Sequence, residues 1–257
     1  MISKSKAKFI ISLQKKKIRD DEKLYVIEGD KLVREFLAAG IPFRSLIAKP
    51  EFIGSLSSDL NNLVAEMESV TYEELKQIST LKTPHNALGI IQMPERNLNT
   101  SEIFNDLSVA LDCVQDPGNL GTIIRAAGWF GIKNIICSEN SVDVYNPKVI
   151  QASMGALLHV NVFYSDLEKL CSQAKVLNIP IFGSVLDGES IYIHKLDNKG
   201  VILLGNESKG ISDELMPYIT DRIMIPKFGT AGHGIDSLNV GMAASVVFSE
   251  FRRRNNK

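Results

Sequence analysis

Three short stretches carry the residue types that could do chemistry. The first runs Asp116-Pro117-Gly118-Asn119-Leu120-Gly121-Thr122-Ile123-Ile124-Arg125. Pro-Gly makes a tight turn, and Asn119 is placed to cap the helix that follows. Asn119, Thr122 and Arg125 then recur every three residues, on a face distinct from apolar Leu120, Ile123, Ile124 and Ala127. That puts an amide and a guanidinium near one another, although a cap plus an unrelated surface arginine fits the spacing equally well.

The second stretch is Gly205-Asn206-Glu207-Ser208-Lys209-Gly210-Ile211-Ser212. It is not a nucleotide-phosphate loop, because Ile-Ser stands where Lys-Ser or Lys-Thr must follow the second glycine. Two glycines bracketing Asn-Glu imply a close backbone approach. Glu207 directly follows an apolar strand, so its carboxylate must be solvated or partnered. The third stretch spans Ile225 to Gly229 and then Ser237-Leu238-Asn239. Ser237 is a suitable N-cap for the final helix. Gly241, Ser245 and Ser249 follow at four-residue spacing, a small-residue face for close packing against another helix or a ligand, core packing being the commoner use.

Something must position these loops. Strand-like runs at 109–114, 134–137, 162–164, 180–185, 201–204 and 222–225 alternate with helical patterns. Short apolar strands separated by helices predict a mostly parallel sheet covered on both faces. Ligands of such sheets bind beyond the carboxyl ends of the strands, where all three stretches fall. The N-terminal part predicts a smaller α/β unit. It has a basic helix over 4–17, strands at 25–28, 45–48 and 88–93, a helix after Gly29, and a capping box at Thr71 and Glu74. Residues 94–105 are polar and without periodicity. The expected organisation is a domain over 1–95, a linker over 96–106 and a second domain over 107–257.

The chain has 257 residues, 44% hydrophobic and 23% charged, enough for two cores. No apolar run approaches the roughly 18 residues of a membrane span, and no secretory signal is read at the N-terminus. Cys113, Cys137 and Cys171 form no zinc-type spacing and read as small buried hydrophobes; no metal site is expected, and a cytoplasmic location is the default. Net charge is −1, yet Lys4, Lys6, Lys8, Lys15, Lys16, Lys17, Arg19 and Lys23 crowd the start and Arg252, Arg253 and Arg254 the end. Such patches fit the salt-dependent part of nucleic-acid binding, or equally a solvated helix face.

Taken together and in order, the three stretches closely resemble motifs one, two and three of the SpoU (TrmH-like) family of the SPOUT methyltransferase superfamily, across residues 109–250. The matching cores are Pro117-Gly118-Asn119-Leu120-Gly121 with Arg125, Gly205-Asn206-Glu207 with Gly210, and Ile225-Pro226 with Ser237-Leu238-Asn239. Ala152-Ser153-Met154-Gly155-Ala156 is similar to a further family segment. The N-terminal part more loosely resembles the ribosomal-protein-like substrate-binding domain of these enzymes. The resemblance implies an α/β fold whose C-terminal domain holds a mostly parallel sheet and a trefoil knot, a feature ordinary packing rules reject. It implies a homodimer, RNA as partner, and methyl transfer from S-adenosylmethionine to a ribose 2′-hydroxyl. The methyl donor would be held by Ser184, Gly205, Ile225 and Leu238. Arg125 would stand at the hydroxyl, with Asn119, Glu207, Ser237 and Asn239 fixing it, the ribose and the phosphate. Family precedent makes Arg125 the general base. Because arginine stays protonated, orienting the ribose and stabilising oxyanion charge is the role preferred here, with proton uptake by a neighbouring phosphate. Residues 230–236 are longer and richer in glycine than the family pattern, and His233 among them reads as a loop histidine rather than an acid–base group.

The resemblance favours ribosomal over transfer RNA, through the N-terminal domain. A catalytically silent RNA-binding or assembly factor is the alternative of another class, opposed by the intact polar set. A dinucleotide-dependent enzyme is opposed by the missing glycine fingerprint.

Overall fold

The computed structural model describes residues 2–229 and 237–255, with side chains through Arg253. The segment 230–236, including His233, lies outside the described residues. Contacts divide the chain into two compact units, residues 1–95 with 145–158, and residues 96–144 with 159–257.

In the first unit, α1 (Lys4–Ser12) and α2 (Lys16–Glu22) precede β1 (Leu24–Glu28), α3 (Asp30–Ala38), β2 (Phe43–Ala48), α4 (Pro50–Gly54), α5 (Ser58–Asn61), β3 (Met67–Ser69), α6 (Tyr72–Ile78) and β4 (Ala87–Gln92). The sheet order is β1-β4-β2-β3, with β4 antiparallel to both neighbours and β2 parallel to β3. The expected single basic helix is two helices. Arg19, 2% exposed, turns its guanidinium back to the carbonyls of Leu13 (2.9 Å) and Gln14 (2.7 Å). A cation on the last carbonyls ends a helix favourably, and it removes Arg19 from the basic surface. Lys6 is also engaged, with Glu68 at 2.9 Å and Glu66 at 3.2 Å. The expected capping box is present, Glu74 N–H donating to Thr71 Oγ1 and Thr71 N–H to Glu74 Oε2.

The second unit opens with α7 (Thr100–Asn105), inside the stretch expected to be irregular. Asn99 caps it, and it buries Ile103 and Phe104, an apolar pair too short to show a period. Then follow β5 (Leu107–Leu111), α8 (Pro117–Trp129) and β6 (Asn134–Cys137). After β6 the chain leaves this unit: residues 145–158, with α9 (Pro147–Ser153), pack in the first. There Tyr145 stacks on Tyr25 at 4.6 Å, Ile150 enters the core, and Gln151 donates to the Glu28 carbonyl. The second unit resumes with β7 (Asn161–Tyr164), α10 (Leu167–Val176), β8 (Ile181–Ser190), β9 (Gly200–Leu204), β10 (Asp221–Met224) and α11 (Val240–Asn255). All six strands are parallel, in the order β10-β8-β9-β5-β6-β7. Central β5 and β9 are buried along their whole lengths, the continuous apolar pattern of a sheet covered on both faces. β8 runs on to Ser190, beyond the expected end at Val185, and its pairing with β10 shifts register between Arg222 and Ile223. Cys137 and Cys171 are buried, and burial pushes both thiols up to about 12. Cys113 departs from the expectation: it is half-buried at φ 55° in the turn after β5.

Candidate active site

The three stretches meet at the carboxyl edge of the second unit's sheet. β5 delivers Asp112 to Asp116, β9 delivers Gly205 to Gly210, and β10 delivers Ile225. Asp116, not Asn119, caps α8: its Oδ1 accepts the Asn119 N–H at 2.8 Å, with Pro117 at the first helical position. Asp-Pro is the sequence signal that identifies this cap. The Asn119 side chain is thereby released from capping. Its Nδ2 donates to Glu207 Oε1 at 2.9 Å, and its Oδ1 accepts from Asn239 Nδ2 at 2.8 Å. The Asn239 Oδ1 in turn accepts the N–H groups of Gly241 (3.0 Å) and Met242 (3.2 Å). Asn239 is therefore the N-cap of α11, in place of the expected Ser237. The helix starts two residues later than the sequence reading placed it, and Ser237 is exposed.

Glu207 answers the demand that its carboxylate be partnered. Its Oε1 accepts from Asn119 Nδ2 and from the Asp116 N–H (3.2 Å), and its Oε2 accepts from Asn206 Nδ2 (3.2 Å). Two residues not singled out from sequence hold the loop. Asn206 donates to the Cys113 carbonyl (2.7 Å) and accepts from the Ser208 and Lys209 N–H groups, closing a turn with Gly210. Asp112, buried, accepts the Ser212 N–H at 2.7 Å. A Cβ on Gly205 would overlap the backbone of Gly210 and Ile211, so the close approach inferred from the glycines is first an approach of the loop to itself.

Helices α8 and α11 lie side by side with their starts together. Gly241 packs on Thr122, where a Cβ would come to 3.0 Å from the Thr122 methyl. At the far end Arg252 donates to the carbonyls of Phe130 (2.8 Å) and Gly131 (3.0 Å), and so serves the C-terminus of α8. The small-residue face thus receives a helix at Gly241. Arg125 is exposed on α8, and among the described residues its guanidinium makes no hydrogen bond or ion pair. The structure unites Asn119, Glu207 and Asn239 in one chain of hydrogen bonds. It bonds neither Arg125 nor Ser237 into that chain.

Of the four positions expected at the methyl donor, Gly205 and Leu238 adjoin members of this network in sequence, and Ile225 and Ser184 lie on the neighbouring strands β10 and β8 or at their ends. Gly205 and Ile225 are half-buried and directly follow β9 and β10, Leu238 is 52% exposed beside Asn239, and Ser184 is half-buried in the stretch of β8 skipped by its register shift against β10. Among the described residues the backbone N–H groups of Gly205, Ile225 and Leu238 donate no hydrogen bond. Free backbone donors after two strand ends and just before α11 fit a ligand recognised by main-chain groups. Among the described residues no cluster of three His, Cys, Asp or Glu could hold a metal ion, and no helix is long and apolar enough to cross a membrane.

Residues 106–249 match the SpoU rRNA Methylase family, and residues 4–89 match the MRM3-like substrate binding domain. The 23S rRNA (guanosine(2553)-2′-O)-methyltransferase RlmP of Bacillus subtilis is 26% identical over 93% of each chain. A TrmH-family protein from Porphyromonas gingivalis superposes with a TM-score of 0.87 and 36% identity over 99% of each chain. The AdoMet-bound rRNA methyltransferase from Sinorhizobium meliloti superposes with a TM-score of 0.86 and 26% identity, over 100% of this chain and 97% of its own. The chain belongs to the SpoU rRNA methylase family.

Proposed function

We propose that this chain transfers a methyl group from S-adenosylmethionine to a ribose 2′-hydroxyl of RNA, with ribosomal RNA as the substrate. The observation that carries the reading is the Glu207–Asn119–Asn239 network, which ties all three motif loops together, with Arg125 exposed on the same helix as Asn119. The relatives named for rRNA methylation match over both units, which favours ribosomal over transfer RNA.

The methyl donor supplies an activated methyl group on a sulfonium. The backbone N–H groups of Gly205, Ile225 and Leu238, with the Ser184 hydroxyl, would hold it at the carboxyl edge of the sheet. The Glu207–Asn119–Asn239 chain fixes the loops around it, and the hydroxyl group of Ser237 is available to the substrate phosphate. A ribose hydroxyl is a weak nucleophile that must shed its proton as the new C–O bond forms. Arg125 orients the ribose and stabilises the oxyanion charge; the proton passes to a substrate phosphate beside the guanidinium. Alignment of the hydroxyl with the methyl group supplies much of the acceleration.

In this reading residues 1–95 with 145–158 hold RNA, and residues 96–144 with 159–257 carry the chemistry, with the trefoil knot of the family around the donor site. The protein works in the cytoplasm as a homodimer. Trp129 on α8, 85% exposed, and Met242 on α11, 59% exposed, offer apolar surface to a second copy.

The test is transfer of labelled methyl from S-adenosylmethionine into unmodified total RNA, with ribosomal and transfer fractions separated. Label should appear in ribosomal RNA as a 2′-O-methyl nucleoside. Arg125→Ala should lower turnover by about 100-fold or more, the scale of losing one oxyanion-stabilising group, while donor affinity stays intact. Donor binding without transfer to any RNA would instead indicate an RNA-binding factor.

A further inference from the structure

A groove of about 1170 Å³ opens on the first unit, between the ends of α3, α4 and α6. Its walls combine cations with aromatic rings. The Arg34 guanidinium lies 4.7 Å from the centroid of the Phe52 ring and donates to the Ser55 hydroxyl. Lys49 Nζ lies 5.1 Å from the centroid of the Tyr72 ring, and Tyr72 is still 37% exposed. Lys4 also lines the groove, and none of these three cations has an ion-pair partner among the described residues. Two of the three carboxylates present are committed. Asp30 accepts from the backbone and side-chain N–H of Asn86, and Glu74 accepts from the N–H groups of Thr71 and Ile2. Left over for a ligand are Glu51, the Gln77 amide and Asn86 Oδ1.

We propose that this groove binds a single-stranded segment of the RNA substrate, with one base stacked on the exposed part of Tyr72. Gln77, Asn86 Oδ1 and Glu51 meet the polar edge of that base, while Lys4, Arg34 and Lys49 meet the flanking phosphates. Unpaired bases are recognised by aromatic and guanidinium stacking together with hydrogen bonds to their edges, and the backbone by a cationic groove. A duplex would hide the base faces that Tyr72 needs. An acidic peptide would use the cations and leave the ring and amides idle. The inference rests on the reading of this chain as an RNA methyltransferase.

The test uses the full chain and a labelled mixed-sequence single-stranded RNA 15-mer, with the matching duplex alongside, followed by fluorescence anisotropy. Tyr72→Ala should weaken single-strand binding by about tenfold, within the range of one lost base stack, and leave duplex binding unchanged. Tyr72→Phe should bind as the parent does. Lys49→Gln should reduce the slope of log affinity against log salt by about one. Ultraviolet cross-linking of the 15-mer to the unaltered protein should map to the peptide containing Tyr72. Parent-like affinity in both Tyr72→Ala and Lys49→Gln, or a cross-link confined elsewhere, overturns the groove while methyl transfer by the parent chain keeps the enzyme reading intact. Binding of a labelled polyglutamate peptide that depends on Tyr72, with RNA affinity untouched, also overturns it. A parent chain that binds donor but neither binds nor methylates RNA removes the enzyme reading and the groove together.

Discussion

Asn119→Asp tests the central network most sharply. The amide nitrogen of Asn119 donates to Glu207 Oε1 at 2.9 Å. The substitution keeps the shape and the acceptor facing Asn239, but sets a second carboxylate oxygen against Glu207. Two unit charges at that separation repel by about 1.4 kcal/mol at the dielectric constant of water and about 6 kcal/mol at an effective value of 20. Both residues are half-buried, so the cost lies between these bounds. Protonation limits it, because one carboxyl can take a proton at about 1.4 kcal/mol per pH unit above its ordinary value near 4.3. The ceiling is then about 4 kcal/mol at pH 7 and about 1 kcal/mol at pH 5. The sign follows from the folded pair having a raised pKa: its favourable state exists at low pH and is lost as pH rises through that value. Urea unfolding of parent, Asn119→Asp and Asn119→Ala at pH 5 and pH 8 reads the effect. Asn119→Asp should be the least stable at pH 8 and recover towards Asn119→Ala at pH 5. An equal deficit at both pH values, or an Asn119→Asp protein more stable than Asn119→Ala at pH 8, would refute the assignment of this contact.

Gly205→Ala should raise the dissociation constant for S-adenosylmethionine by about tenfold or more in calorimetry, because its Cβ overlaps the Gly210–Ile211 backbone and displaces the loop. Arg19→Met should cost about 2–3 kcal/mol in urea unfolding, since it strands the carbonyls of Leu13 and Gln14; a change below about 0.5 kcal/mol would mean that water replaces the guanidinium there. His194 bridges Glu189 (2.5 Å) and Asp221 (2.9 Å); burial lowers its pKa, but these two partners outweigh burial and hold it above the ordinary 6.5. Its contribution is complete below that value and fades as pH rises through the raised one, so His194→Asn should lower the melting temperature more at pH 5.5 than at pH 8.5.

The strands were legible because apolar runs such as 134–137 and 201–204 leave few alternatives. The helix starts were less so. Asn119 and Ser237 are both good cap residues, and what decides against them is the competing offer three residues before Asn119, from Asp116, and two residues after Ser237, from Asn239. The same choices free Asn119 to reach Glu207, so the site and its caps are settled together by contacts 88 and 120 residues apart. In the sequence Arg19 is one cation among eight, and only the fold shows that its charge is consumed inside. Short α4, α5 and β3 carry too few residues to display a period. The transit of residues 145–158 into the first unit has no local signal at all, because Tyr145 and Ile150 look like ordinary core residues of whichever part contains them.

That transit has a consequence for synthesis on the ribosome. The first unit's core includes Ile150 and is flanked by Tyr145, Leu157 and Leu158. Its final pieces are therefore translated about 60 residues after β4. At about 5–20 residues per second, the nascent sheet waits on the order of 3–12 seconds with part of its apolar surface uncovered. A chain cut after residue 95 would keep that surface open permanently. The practical boundary for expressing the first unit alone is thus not a point in the sequence, and a soluble version would need the 145–158 segment fused back or its apolar contacts replaced.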